Sequence, residues 1–184
     1  MKKLLCSLIL LLFLDIGCAL KPHLQVRVSG TRFDNLRLAK PKNLSICVVA
    51  GKKNIDPFLG DEVREKMQRL LLSNGYKVTC DRPDFYCAFS YGISSSSMAS
   101  RVIPVFGCYL ILELHYAAYF ERSDNSEPVW VGEFTSLSTG SDLTAVMDYM
   151  LVAASKHFTK NTKKPVTVSM SLNDRRVKKL NREQ

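Results

Sequence analysis

The chain has 184 residues, 46% of them hydrophobic, and carries 26 Lys and Arg against 17 Asp and Glu for a net charge of +9. That length and apolar content fit one domain with a sizeable core. The basic excess lies in residues 160–164 and 175–182, which suits an anionic lipid, lipopolysaccharide or an acidic protein surface, or is simply a solvated face; nucleic acid is excluded as a partner by the export signal that opens the chain.

That signal has three parts: Lys2 and Lys3, an apolar run over residues 4–14, and Gly17-Cys18 at its end. The run is about eleven residues long, whereas a helix needs roughly twenty to cross a bilayer, so no mature transmembrane helix is expected. Leu14-Asp15-Ile16-Gly17-Cys18 resembles the bacterial lipobox, in which a small residue precedes a cysteine that is diacylated before cleavage; it departs from the pattern at Asp15, where Leu is usual. The resemblance implies a lipid anchor on Cys18. With Ala19 rather than Asp next, it also implies the periplasmic face of the outer membrane. The alternative is a plain signal peptide with an incidental cysteine. On this reading residues 1–17 are the signal, 18–43 a tether with a first strand, 44–172 the folded domain, and 173–184 a basic tail.

After the signal, Leu24-Gln25-Val26-Arg27-Val28 alternates as a short strand does. Residues 44–50 (LSICVVA) form a largely apolar strand, closed by Gly51-Lys52-Lys53. A helix follows, with Asp56 as cap and Pro57 in its first turn. Leu59, Val63, Met67, Leu70 and Leu71 form its apolar stripe, and Asn74-Gly75 closes it. Strands are expected at residues 76–80 and 84–92, then a serine-rich connection over residues 93–101. The clearest β pattern is residues 107–120, with Leu110, Leu112, Leu114 and Tyr116 on one face and Glu113 and His115 on the other. After the polar turn at residues 121–128, residues 129–139 return as an antiparallel partner with Trp130, Gly132 and Phe134 on one side. Gly140-Ser141-Asp142 caps a second helix, whose stripe is Leu143, Val146, Met147, Met150, Leu151, Ala154 and Phe158. Residues 166–170 form an edge strand, and the tail after Ser171 reads as frayed or weakly helical. The sum is an α+β fold: a two-layer sandwich of a mostly antiparallel sheet with two helices on one face.

Four cysteines remain beyond Cys18: Cys47, Cys80, Cys87 and Cys108. An exported chain permits disulfides, and three complete pairings are open. None of these cysteines has the C-x-x-C spacing of a redox or zinc site.

The segments Asn74-Gly75-Tyr76, Asp81-Arg82-Pro83-Asp84-Phe85 and Val129-Trp130-Val131-Gly132-Glu133, in this order of elements, resemble the DUF4136-type lipoproteins of Gram-negative bacteria. The resemblance covers roughly residues 24–168, with Arg82 and the serine-rich loop as departures. It implies fold and compartment, and no chemistry. The broad shape is also similar to lipoproteins that plug or escort envelope machines.

Catalytic motifs are missing from the sequence: there is no G-x-S-x-G elbow, H-E-x-x-H pair or Walker loop. Glu113 and His115 share a strand face, which suits a base beside its orienting carboxylate or, more simply, a solvent-facing polar stripe. Asp81 and Asp84 bracket a proline turn, too few oxygens for calcium. The reading is therefore a non-catalytic envelope lipoprotein that binds or scaffolds a partner, without cofactor or metal. Its candidate partner surface is Ile111, Glu113 and His115, together with Arg175, Arg176, Lys178 and Lys179 for anionic lipid. An auxiliary subunit of an envelope transport or assembly complex is the second reading. The third, a hydrolase, would need Ser94 or Ser95 beside His115.

Overall fold

The structure, a computed structural model, describes residues 23–33, 43–51, 57–95, 106–121, 126–138 and 143–182. The export signal with Cys18, the helix caps Asp56 and Asp142, and most of the serine-rich connection lie outside these residues. The elements in chain order are β1 (His23–Arg32), β2 (Ser45–Ala50), α1 (Pro57–Ser73), β3 (Lys77–Val78), β4 (Phe85–Ser95), β5 (Phe106–Tyr116), α2 (Ala117–Phe120), β6 (Trp130–Ser138), α3 (Leu143–His157), β7 (Val166–Ser171) and α4 (Arg175–Arg182). Among these, no helix is long and apolar enough to cross a membrane.

Seven strands form one sheet in the order β3-β2-β4-β5-β6-β1-β7. The sheet is mixed, which corrects the expected mostly antiparallel arrangement: β2 runs parallel to both β3 and β4, and the remaining pairings are antiparallel. The cause is α1, which carries the chain back to the end where β2 began, so the strands that follow it run with β2. Alternation of apolar residues does not encode strand direction. β1 is the expected first strand, longer than Leu24–Val28. It sits between β6 and β7, with Val26 facing Ser136 on one side and Val168 on the other.

The expected hairpin is present, with Leu110, Leu112 and Leu114 opposite Phe134, Gly132 and Trp130. On β4, Phe85, Cys87, Phe89 and Tyr91 lie on the same face and are buried with them. This face carries the core and meets α1 and α3, which also contact each other. β5 is shorter than the sequence pattern implied. It ends at Tyr116, and residues 117–120 make one helical turn that sets Phe120 against Tyr86 and His115 on the opposite face.

The helix stripes fall where their period places them. Leu59, Val63, Met67 and Leu71 of α1 are buried, as are Leu143, Val146, Met147, Met150, Leu151 and Ala154 of α3. At the end of α1, Gly75 has φ 88°, and its N–H and that of Tyr76 reach back to the carbonyls of Leu72 and Leu71. This paired closure needs a left-handed residue, which glycine supplies without a Cβ penalty. The tail departs from expectation: residues 175–182 form α4, which packs on α3 through buried Val177 and Leu180. Spacing of i, i+3 puts these two apolar residues on one side of a helix whose other residues are cationic apart from Asn181.

One disulfide closes the β2–α1–β3 unit, joining Cys47 to Cys80 with Cα atoms 4.6 Å apart. Cys87 and Cys108 are buried thiols. Burial pushes the Cys87 thiol up to about 12, so it packs as a small hydrophobe and stays protonated.

Candidate functional site

Among the described residues, the two surfaces expected from the sequence lie on opposite sides of the sheet. The first is centred on His115. The alternation of β5 turns this residue away from the helices, yet it is only 6% exposed, because Phe120 and Ser126 cover it. It is not the solvent-facing stripe that alternation implies. Its Nδ1 shares a hydrogen bond with the Ser126 hydroxyl at 3.0 Å, and its Nε2 lies 3.8 Å from Glu113 Oε2. The second distance is beyond hydrogen-bond range, so the carboxylate acts on the ring through space. Burial lowers the His115 pKa below its ordinary value against the opposing pull of Glu113 and Ser126, leaving the imidazole neutral near pH 7.

Ile111 is half-buried on the same face, opposite Ser90 and Glu133. Ser94 and Ser95 pair with Gly107 and Phe106, at the far end of the ladder from the His115–Tyr86 pair. Eight residues at about 3.3 Å each separate them from His115. Ser126 is the hydroxyl that meets the ring, and it sits in the segment read only as a polar turn.

Asp84 holds the start of β4 to the start of β2. Its Oδ2 accepts from both the Ser45 N–H and the Ser45 hydroxyl at 2.7 Å, and these bonds keep its carboxyl below the usual range. Asp84 is thus a strand clamp, and its neighbour Asp81 is exposed.

The second region is the outer side of α4. Arg175, Arg176, Lys178, Lys179 and Arg182 are exposed, while Val177 and Leu180 hold the helix down. Asp174 starts the helix, accepting from the Arg176 N–H and guanidinium at 2.9 Å each; the Arg176 side chain holds its carboxyl down at about 2. Asn173, Arg175, Lys178, Lys179 and Arg182 line an open hollow of about 600 Å³. Lys156, Lys160, Lys163 and Lys164 are exposed at the end of α3 and before β7. The structure therefore keeps the two proposed surfaces apart, with the Ile111–Glu113–His115 strip on the sheet and the cations beside the helices.

Sequence reasoning missed one cluster. Lys66 of α1 is buried and donates to Glu62 at 2.6 Å and to Asp148 of α3 at 2.7 Å; the other Asp148 oxygen accepts from Asn181 of α4 at 2.7 Å. Burial opposes the Lys66 charge, but the two carboxylates outweigh it and raise its pKa. The available signal was Asp148 itself, a charge set inside the apolar run of residues 143–154.

No protein-family model matches the chain, and no curated protein matches it. Solved structures do. A PDZ domain protein from Parabacteroides distasonis is similar over 87% of this chain at 10% identity with a TM-score of 0.53, and this chain spans 42% of its length. A PelC dodecamer from Paraburkholderia phytofirmans is similar over 71% of this chain and 95% of its own at 15% identity, TM-score 0.44. A minor lipoprotein from Acinetobacter baumannii is similar over 61% of this chain and 90% of its own at 13% identity, TM-score 0.38. The first likeness establishes a shared fold and nothing about activity. The other two overlaps are too loose to establish even that.

Proposed function

We propose that the protein is a non-catalytic envelope lipoprotein of the DUF4136 type, anchored by acyl chains on Cys18 and serving as a binding or scaffolding module. The observation that carries this reading is the Cys47–Cys80 disulfide, a bond that persists in oxidising compartments and is rare in the cytosol. The signal-like residues 1–17 and the lipobox-like Cys18 give the route to such a compartment. Each buried methylene of an acyl chain contributes about 0.8 kcal/mol, so two or three chains make the attachment durable. The domain is read as two layers, with α1, α3 and α4 on one side of the sheet. The cations of α4 meet anionic lipid, and the sheet side around Ile111 and Glu113 meets an envelope protein at the periplasmic face of the outer membrane.

Intact mass of the membrane-extracted protein, beside a Cys18→Ala variant, tests this directly. The expected result is residues 18–184 plus acyl chains, lost on substitution. An unlipidated mass in the wild type would leave a soluble exported protein and overturn the anchor.

A second reading, an auxiliary subunit of an envelope transport or assembly complex, is favoured by apolar residues on the sheet side away from the helices: Leu137 is exposed, and Tyr109, Ile111 and Val131 are half-buried. Stable co-purification with a membrane complex supports it over a free-standing binder.

A further inference from the structure

Among the described residues β7 is the last strand of the sheet, and half of its backbone has no strand partner. β1 offers its main chain alternately to its two neighbours. On the β6 side, Phe33 N–H donates to the Val129 carbonyl and the Gln25 carbonyl accepts from the Ser136 hydroxyl. On the other side, Gly30 exchanges hydrogen bonds with Thr162, just ahead of β7. Odd-numbered residues of β1 thus face β6 and even-numbered ones face β7. Leu24 and Val26 lie opposite Met170 and Val168, so the even-numbered residues of β7 direct their N–H and C=O groups to β1. Those of Thr167 and Ser169 point out of the sheet, and both residues are exposed.

Open edges are ordinarily blunted by a charge, a proline or a bulge within the strand. Within Val166-Thr167-Val168-Ser169-Met170-Ser171 there is no charge, proline or bulge and the register with β1 is unbroken; Lys163, Lys164 and Pro165 stand at its start, outside the strand. Charge selects the occupant. Lys163 and Lys164 precede the strand; after it come Asp174, neutralised by its pairing with Arg176, and the remaining cations of α4. A second copy pairing edge to edge would set like charges against each other at both ends, in a chain of net charge +9. An acidic strand meets opposite charge at both ends.

We infer that the outer edge of β7 takes up an extended, acidic protein segment as an added strand, held by main-chain hydrogen bonds from Thr167 and Ser169 and selected by the flanking cations. This rests on reading the domain as a binding module, and it needs neither the lipid anchor nor the compartment.

The test titrates a labelled peptide, Glu-Glu-Thr-Val-Thr-Val-Glu-Glu, with the full chain in mild detergent. Saturable binding is expected. Ser169→Pro should weaken it about tenfold, the equivalent of one lost hydrogen bond, with the thermal midpoint unchanged, because a proline there removes only an outward N–H. The Lys163→Glu, Lys164→Glu double variant should also weaken it, and a backbone N-methylated peptide should not bind. That last comparison carries the test if Ser169→Pro fails to fold. Equal binding of a proline-interrupted peptide of the same charge would reduce the effect to adsorption on cations and overturn the inference. So would an absence of binding, or a wild-type dimer that Ser169→Pro returns to monomer. Failure of the envelope reading would instead appear as a missing lipid mass, with peptide binding intact.

Discussion

Gly132 shows how little room the core leaves at single positions. A Cβ there would stand 2.3 Å and 2.7 Å from two ring carbons of Trp130, which is fully buried, and 3.0 Å from the Phe134 ring. The Trp130 ring lies across the glycine and donates its Nε1–H to the Lys160 carbonyl at 3.0 Å, so it cannot retreat without losing that bond. Gly132→Ala should cost about 1–3 kcal/mol, the usual penalty for overpacking a core, read as a lower urea midpoint. An unchanged midpoint would mean that the indole has another place to go. His115 gives a pH signature. Its pKa is lowered by burial, as is that of His157, so the folded chain binds fewer protons than the unfolded chain. Their contribution is therefore complete above about pH 6.5 and is lost as pH falls through the folded values. Asp84 and Asp174, also lowered, act in a more acidic window, below about pH 4. Thermal midpoints should decline between pH 7 and 5, and His115→Gln should flatten that decline.

At the scale of elements, the three longest helices are joined by a single cluster. Lys66 stands between Glu62 and Asp148, and Asn181 donates to Asp148, so α1, α3 and α4 share one set of hydrogen bonds centred on the buried Lys66–Asp148 pair. Removing one partner strands a charge: Lys66→Ala should destabilise by about 3–5 kcal/mol. Lys66→Met with Asp148→Leu should recover much of that, since a packed apolar pair needs no counter-ion. Monitoring urea unfolding of the three proteins decides the point. α4 also adds to stability through packing. Deleting residues 173–184, which the sequence reads as a basic, frayed or weakly helical tail, removes buried Val177 and Leu180 and the Asn181 bond. At roughly 1.5–3 kcal/mol for each large aliphatic side chain, the truncated chain should melt earlier. Binding to anionic lipid is therefore tested with Arg175→Gln, Lys178→Gln and Lys179→Gln together, which leave the buried face in place.

For the whole molecule, the Cys47–Cys80 bridge closes a loop of sequence separation 33 that contains all of α1. Chain entropy assigns such a closure about 3–4 kcal/mol. The Cys47→Ala, Cys80→Ala pair should lower the urea midpoint accordingly, and reductant should do the same to the wild type alone.

Much of the fold was legible locally. The stripes of α1 and α3, the Gly75 closure, the β5–β6 hairpin and the edge position of β7 follow from periodicity and turn chemistry, which act over a few residues. The lipobox-like Cys18 and the two basic clusters are likewise properties of short stretches. Tertiary structure decided what depends on distant partners. β1 joined the sheet because Val26 meets strands more than a hundred residues away. The sheet became mixed because α1 reversed the chain, and His115 was covered because α2 folded over it. The tail became a docked helix because α3 presents a surface for Val177 and Leu180. Local sequence states which side chains are apolar, polar or charged; only the packed chain determines which of them lose water and to which partner.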